Sequence, residues 1–130
     1  PIAKYGPDQK RYAGIHGEFR KAMAAPAKLP EFKGNVTAVL TENYWDLQLS
    51  ELVDRKGKAN AKRRELSKDK TLTREQRDKA IAEFTAKLFT KKELKILEVG
   101  TSNAAYHYLG SAKILAQIGK AFADARAAMK

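Results

Sequence analysis

A chain of 130 residues is about one domain, long enough to enclose a single hydrophobic core and too short for two independent ones. With 43% hydrophobic and 32% charged residues the composition is globular, and no stretch approaches the roughly 20 apolar residues that a membrane span requires. The absence of cysteine excludes disulfide frameworks and thiolate zinc sites, the two histidines lie too far apart in sequence to suggest a metal site, and a net charge of +11 directs attention to anionic partners.

The chain begins with a loop, Pro1 to Asp8, carrying Gly6-Pro7. It opens with no initiator methionine and no basic-then-apolar leader, a pattern that fits a processed, excised or truncated product as well as a cytosolic one and leaves the compartment open. From about Tyr12 the residues Ile15, Phe19, Ala22 and Met23 recur at helical spacing, and Pro26 and Pro30 close that helix because proline cannot extend the hydrogen-bond ladder. Lys33-Gly34-Asn35 then turns into Val36 to Thr41, whose β-branched content and short length predict a buried strand. Asp46 stands where it would cap a helix that carries Leu49, Leu52 and Val53 toward a core and becomes strongly basic, hence exposed, beyond Arg55.

Thr73 with Gln76, and Thr90 with Glu93, match the capping-box spacing in which side chains satisfy the orphan amides of a helix start. They predict helices over about 74–89, with an apolar stripe of Ile81, Phe84 and Leu88, and about 91–98, with Leu94 and Leu97. A last helix, about 109–128, is expected to bury Leu109, Leu115, Ile118, Phe122 and Met129. No internal repeat or low-complexity segment is present.

One strand cannot satisfy its own backbone, so the segment near 36–41 implies a second copy, another polypeptide, or the end of a longer α/β protein. The charge is equally uneven. Residues 55–70 hold eight Lys and Arg against Glu65 and Asp69, more than half of the chain's excess. A solvated helix face is the plain reading of such a run, and no aromatic residues interleave with it to stack bases, so nucleic acid is not favoured.

His107 is the chain's main candidate for chemistry. Histidine is suited to take and return a proton near neutral pH, and in serine hydrolases it needs a nucleophile within reach and an acid to orient it. The competing reading is a packed or surface residue at a helix entrance; His16, inside a predicted amphipathic helix, has a weaker claim still.

The blocks Asn103-Ala104-Ala105-Tyr106-His107-Tyr108-Leu109-Gly110-Ser111-Ala112-Lys113 and Ile118-Gly119-Lys120-Ala121-Phe122-Ala123 resemble the C-terminal end of sialate O-acetylesterase-like proteins, carbohydrate esterases of the SGNH hydrolase superfamily, of the planctomycete type. Phe19 to Ala27, Leu29 to Val36 and Tyr44-Trp45-Asp46 look like the same family's last strand and its approach, so the likeness covers nearly the whole chain.

The resemblance implies a three-layer α/β/α sandwich with a parallel sheet. This chain would be its C-terminal segment, mostly helical with one strand near 36–41 and a basic helical insertion at about 46–98. It further implies acetylated carbohydrate as substrate, no cofactor, a secreted or periplasmic location, and His107 as the base that activates a serine. Trp45 would stand near the strand end, as a wall of a sugar pocket or as an ordinary core tryptophan. This sequence departs from the family in two ways: the glycine-rich serine turn and the oxyanion-hole blocks have no counterpart, and Ala104 occupies the position, three residues before the histidine, where the superfamily usually has an aspartate. The serine is then expected on a missing N-terminal part or another copy of the chain. The alternatives are a non-catalytic basic module that binds an anionic polymer, and an assembly fragment whose strand recruits a partner chain.

Overall fold

A computed structural model describes residues 10–129, with side chains from Gly14 onward. Five α-helices carry the described chain: α1 Lys10–Ala24, α2 Leu47–Lys68, α3 Arg74–Leu88, α4 Lys91–Gly100 and α5 Ala112–Ala128, joined in part by short 3-10 turns. They fall into two compact units, one made of the chain before Leu47 together with the chain after Thr101, the other of Leu47–Thr101. The expected loop at Pro1 to Asp8 lies outside the described residues.

In the discontinuous unit, α1 stops where Pro26 enters, and two 3-10 turns, Ala25–Lys28 and Pro30–Phe32, carry the chain to Gly34, whose φ of +82° makes the turn that glycine permits. The expected strand and the three-layer sandwich are both overturned. Residues 36–40 have no regular secondary structure, and no strand occurs among the described residues, which form a small all-helical fold. The physical reason is that β-branched residues favour a pleated, packed surface only when a second strand supplies one, and here none does. The core of this unit is instead Trp45, Tyr108, Leu109, Ile114, Ile118 and Ala121.

The buried face of α5 agrees with the expected one in part. Ile118 is buried as expected, together with Ile114 and Ala121, whereas Leu115 and Phe122 are 51% and 53% exposed. Ile15, Phe19 and Met23 of α1 likewise keep helical spacing and remain exposed. Met23 and Phe122 border an apolar hollow of about 360 Å³ with Ala38 to Thr41.

The second unit is a helical hairpin closed by a shorter helix. Asp69 Oδ1 accepts from the Thr71 amide (2.9 Å) and hydroxyl (2.6 Å), turning the chain after α2. Both capping boxes form: Thr73 accepts from the Gln76 amide and Thr90 from the Glu93 amide, each at 3.2 Å, while the Gln76 and Glu93 side chains accept in return from the Thr73 and Thr90 amides. Leu52, Phe89 and Leu97 make the core, flanked by Val53, Leu88 and Ile96. α3 buries no residue fully, and Ile81, Phe84 and Leu88 are only half-buried; Leu94 is exposed rather than inward.

Arg55, the first member of the basic run, turns inward instead of to solvent. Its guanidinium donates to Leu88 O (2.9 Å) and Glu93 Oε1 (2.7 Å) and lies 5.5 Å from the centre of the Phe89 ring, tying α2 to the α3–α4 junction. The Glu93 carboxyl is held down to about 2, first by the Thr90 amide, then by Arg55 and the Thr90 hydroxyl. A carboxylate whose folded value lies below its ordinary 4.5 supports folding above that pH and loses that support as pH falls toward about 2. Thermal midpoints followed by circular dichroism should therefore fall between these pH values, and the fall should be smaller in Glu93→Gln. Equal slopes in both proteins would remove Glu93 from the acid response.

Candidate functional site

Residues 102–111 form a tight loop, stitched by main-chain and side-chain hydrogen bonds. Ala104 O accepts from the amides of His107 (3.0 Å) and Leu109 (3.1 Å), and Leu109 O accepts from those of Ser102 (2.9 Å) and Asn103 (3.0 Å). The Asn103 side chain accepts from the Ala104 amide (2.8 Å), and Ser102 Oγ donates to Gly110 O (2.9 Å). This stitching holds an unusual backbone. Tyr108 (φ 54°), Leu109 (φ 60°) and Gly110 (φ 59°) are all left-handed, and the first two are not glycine.

A left-handed residue other than glycine costs roughly 1–2 kcal/mol, so the Tyr108-Leu109 pair stores on the order of 2–4 kcal/mol. Burial offsets it. Leu109 is 1% exposed, and full burial of a leucine side chain stabilises by roughly 1.5–3 kcal/mol. The Tyr108 ring, also buried, meets Trp45 with ring centroids 6.4 Å apart, and its hydroxyl lies 3.0 Å from Thr41 Oγ1. The end of the 36–41 segment, Trp45 and the histidine loop thus share one packed cluster.

His107 is the residue this arrangement leaves outside. Its backbone (φ −108°, ψ 34°) enters the left-handed run, and its imidazole is exposed and tilted against the Tyr106 ring at a centroid distance of 4.4 Å, itself 60% exposed. Among the described residues no carboxylate or hydroxyl hydrogen-bonds to the ring. Ala104, at the usual aspartate position, contributes its carbonyl to the main chain of the loop and nothing to the imidazole.

Trp45 is 8% exposed, a core position. Its indole N–H meets no hydrogen-bond acceptor among the described residues. Trp45→Ala should therefore cost about 3–5 kcal/mol, as large aromatic truncations do, while Trp45→Phe should cost about 1 kcal/mol because no hydrogen bond is lost. Urea denaturation of both variants decides this, and equal losses would mean that the N–H has a partner. Next to Trp45, Asp46 Oδ2 accepts from Lys113 Nζ of α5 (2.7 Å), and Arg20 Nε of α1 meets Glu42 Oε2 at 2.8 Å.

The role of Tyr108 to Gly110 was not visible in the residue pattern, because Leu109 continues the apolar spacing of the last helix. The available signal was Gly110 with Ser111, a glycine followed by a helix-capping residue type, which places a helix start after 110 rather than at 109. His16 lies half-buried on α1, far in sequence from the loop. No group of three or more metal-ligating side chains occurs among the described residues, and none of their helices is long and apolar enough to cross a membrane. No family model, curated protein or solved structure matches the chain.

Proposed function

We propose that the chain is the C-terminal part of a serine-dependent carbohydrate acetylesterase and supplies His107 as its general base and acid. The observation that carries this reading is the histidine loop. A run of left-handed residues, paid for by the burial of Tyr108 and Leu109, forms the backbone from which an exposed imidazole projects, and backbone strain of this kind concentrates where function needs it. The reading keeps the histidine of the family resemblance and discards the layered sandwich.

His107 takes the proton of a serine hydroxyl as that oxygen attacks the acetyl carbonyl carbon, then returns it to the sugar oxygen as the ester C–O bond breaks. Water, deprotonated by the same imidazole, attacks the acetyl-serine, and acetate leaves while the serine recovers its proton. The serine and the oxyanion donors belong to polypeptide outside residues 1–130. An orienting acid, like the serine, would come from that same polypeptide.

Expression in one polypeptide with the coding sequence upstream of Pro1 should release acetate from an acetylated sugar, and a serine-directed phosphonate should label that upstream part. Absence of both hydrolysis and labelling would remove the enzyme reading.

A further inference from the structure

Charge on the second unit is concentrated on one helix. Of the eight bases in residues 55–70, Arg55 is engaged with Glu93 and Lys62 Nζ with Glu65 at 2.6 Å. The other six, Lys56, Lys58, Arg63, Arg64, Lys68 and Lys70, are exposed and form no ion pair among the described residues. Nearby carboxylates are occupied or outnumbered. Glu65 holds Lys62, Asp69 is bound to Thr71, and Asp54 stands a turn before Lys58.

From Lys56 to Lys68 the helix rises about 18 Å, so five of these cations stand along and around a rod, a few ångströms apart along its axis, and Lys70 follows in the turn beyond it. Arg63 and Arg77 of α3 also border a hollow of about 350 Å³ between the two helices; Asp78 lines it too, and its carboxylate is met by Arg74 at 3.8 Å, so the two arginines outnumber it there.

We propose that this hairpin surface holds an anionic polysaccharide, one bearing sulfate or carboxylate groups along its length. The choice of carbohydrate rests on the esterase reading; the choice of a polyanion does not. Unpaired cations strung along a helix gain affinity from each counterion that a polyanion releases, with no need for a shaped pocket. Single-stranded nucleic acid is disfavoured because residues 47–101 contain no Tyr or Trp, Phe89 is buried and Phe84 is half-buried, leaving no open ring on which a base would stack. A polysaccharide asks only for the charges and for polar neighbours such as Ser67, which lines the same hollow.

Heparin is the probe, with neutral dextran and duplex DNA as comparisons, titrated into the 130-residue protein at several salt concentrations. Heparin should bind at low salt and dextran should not. The triple substitution Arg63→Gln, Arg64→Gln, Lys68→Gln should weaken heparin at least about tenfold and flatten the salt slope by about one for each contacting cation removed. Lys21→Gln, Lys95→Gln, Lys120→Gln removes the same net charge from bases that are already paired, and should have less than about a third of that effect on a logarithmic scale. Should the first variant unfold by circular dichroism, Lys56→Gln with Lys58→Gln serves instead.

Three results would overturn the proposal: no heparin binding at low salt, equal losses in the two triple variants, or duplex DNA bound about tenfold more tightly than heparin. Hydrolysis without salt-sensitive heparin binding sinks the surface alone. Heparin binding without hydrolysis in the extended polypeptide sinks the enzyme reading and leaves the polyanion surface standing.

Discussion

Replacing His107 with alanine in the polypeptide extended upstream of Pro1 should lower kcat for acetyl-ester hydrolysis by about 10²–10⁴-fold, the range that a positioned acid–base group contributes. KM should change little, because the imidazole acts on the proton in flight rather than on the sugar. Stability should also change little, within about 0.5 kcal/mol, since the ring is exposed and its ring neighbour, Tyr106, is exposed as well. This combination separates a catalytic histidine from a structural one. A structural residue would lower the thermal midpoint and spare turnover of the surviving folded protein; full activity in the variant would end the assignment.

Gly110→Ala is the substitution expected to do most damage to the fold. A methyl group there would collide with Ser102 Oγ and come within 2.8 Å of the Asn103 amide nitrogen, a backbone atom that cannot swing away. The φ of +59° adds the left-handed penalty, roughly 1–2 kcal/mol, and overpacking adds roughly 1–3 kcal/mol more. A total of about 2–5 kcal/mol is a large share of the stability of a small protein. Gly34→Ala is the internal control. Gly34 also has positive φ, but a Cβ there meets nothing within 4 Å, so only the backbone penalty applies. Equal losses for the two variants in urea denaturation would show that the 102–111 loop has room to relax. In the extended polypeptide, Gly110→Ala should also reduce hydrolysis, through displacement of His107.

Much of the second unit was legible in the residues. Thr73 with Gln76, and Thr90 with Glu93, marked helix starts that the structure contains, because a capping box is a local exchange of hydrogen bonds decided within four residues. Pro26 ended α1 for an equally local reason. What failed was the choice of buried face. Leu115 and Phe122 looked inward with Ile118 on spacing alone, but Ile118 also belongs to an equally regular stripe with Ile114 and Ala121, and that is the buried one. Spacing says that a helix has an apolar side; only the neighbours say which side is covered.

The candidate site divides in the same way. His107 stood out in the sequence by residue type and by its setting in a block that resembles an esterase terminus, and Trp45 by its aromatic size. Their environments were not readable. Trp45 is a packing residue because Tyr108 lies against it, and Tyr108 can do so only through a left-handed backbone that neither its own identity nor that of Leu109 favours. That conformation depends on bonds from Ser102, Asn103 and Ala104 and on burial against the helical core, so it is a product of the folded chain as a whole.

The sequence by itself determined the helix starts, the concentration of charge on residues 55–70, and the absence of any thiolate chemistry, since each depends on residue identity over a few neighbours. The tertiary structure decided that Val36 to Leu40 forms no strand, that Arg55 turns inward, and that His107 is the exposed point of a strained loop. Strand formation, ion pairing and strain all require a partner distant in sequence, and only folding brings that partner near.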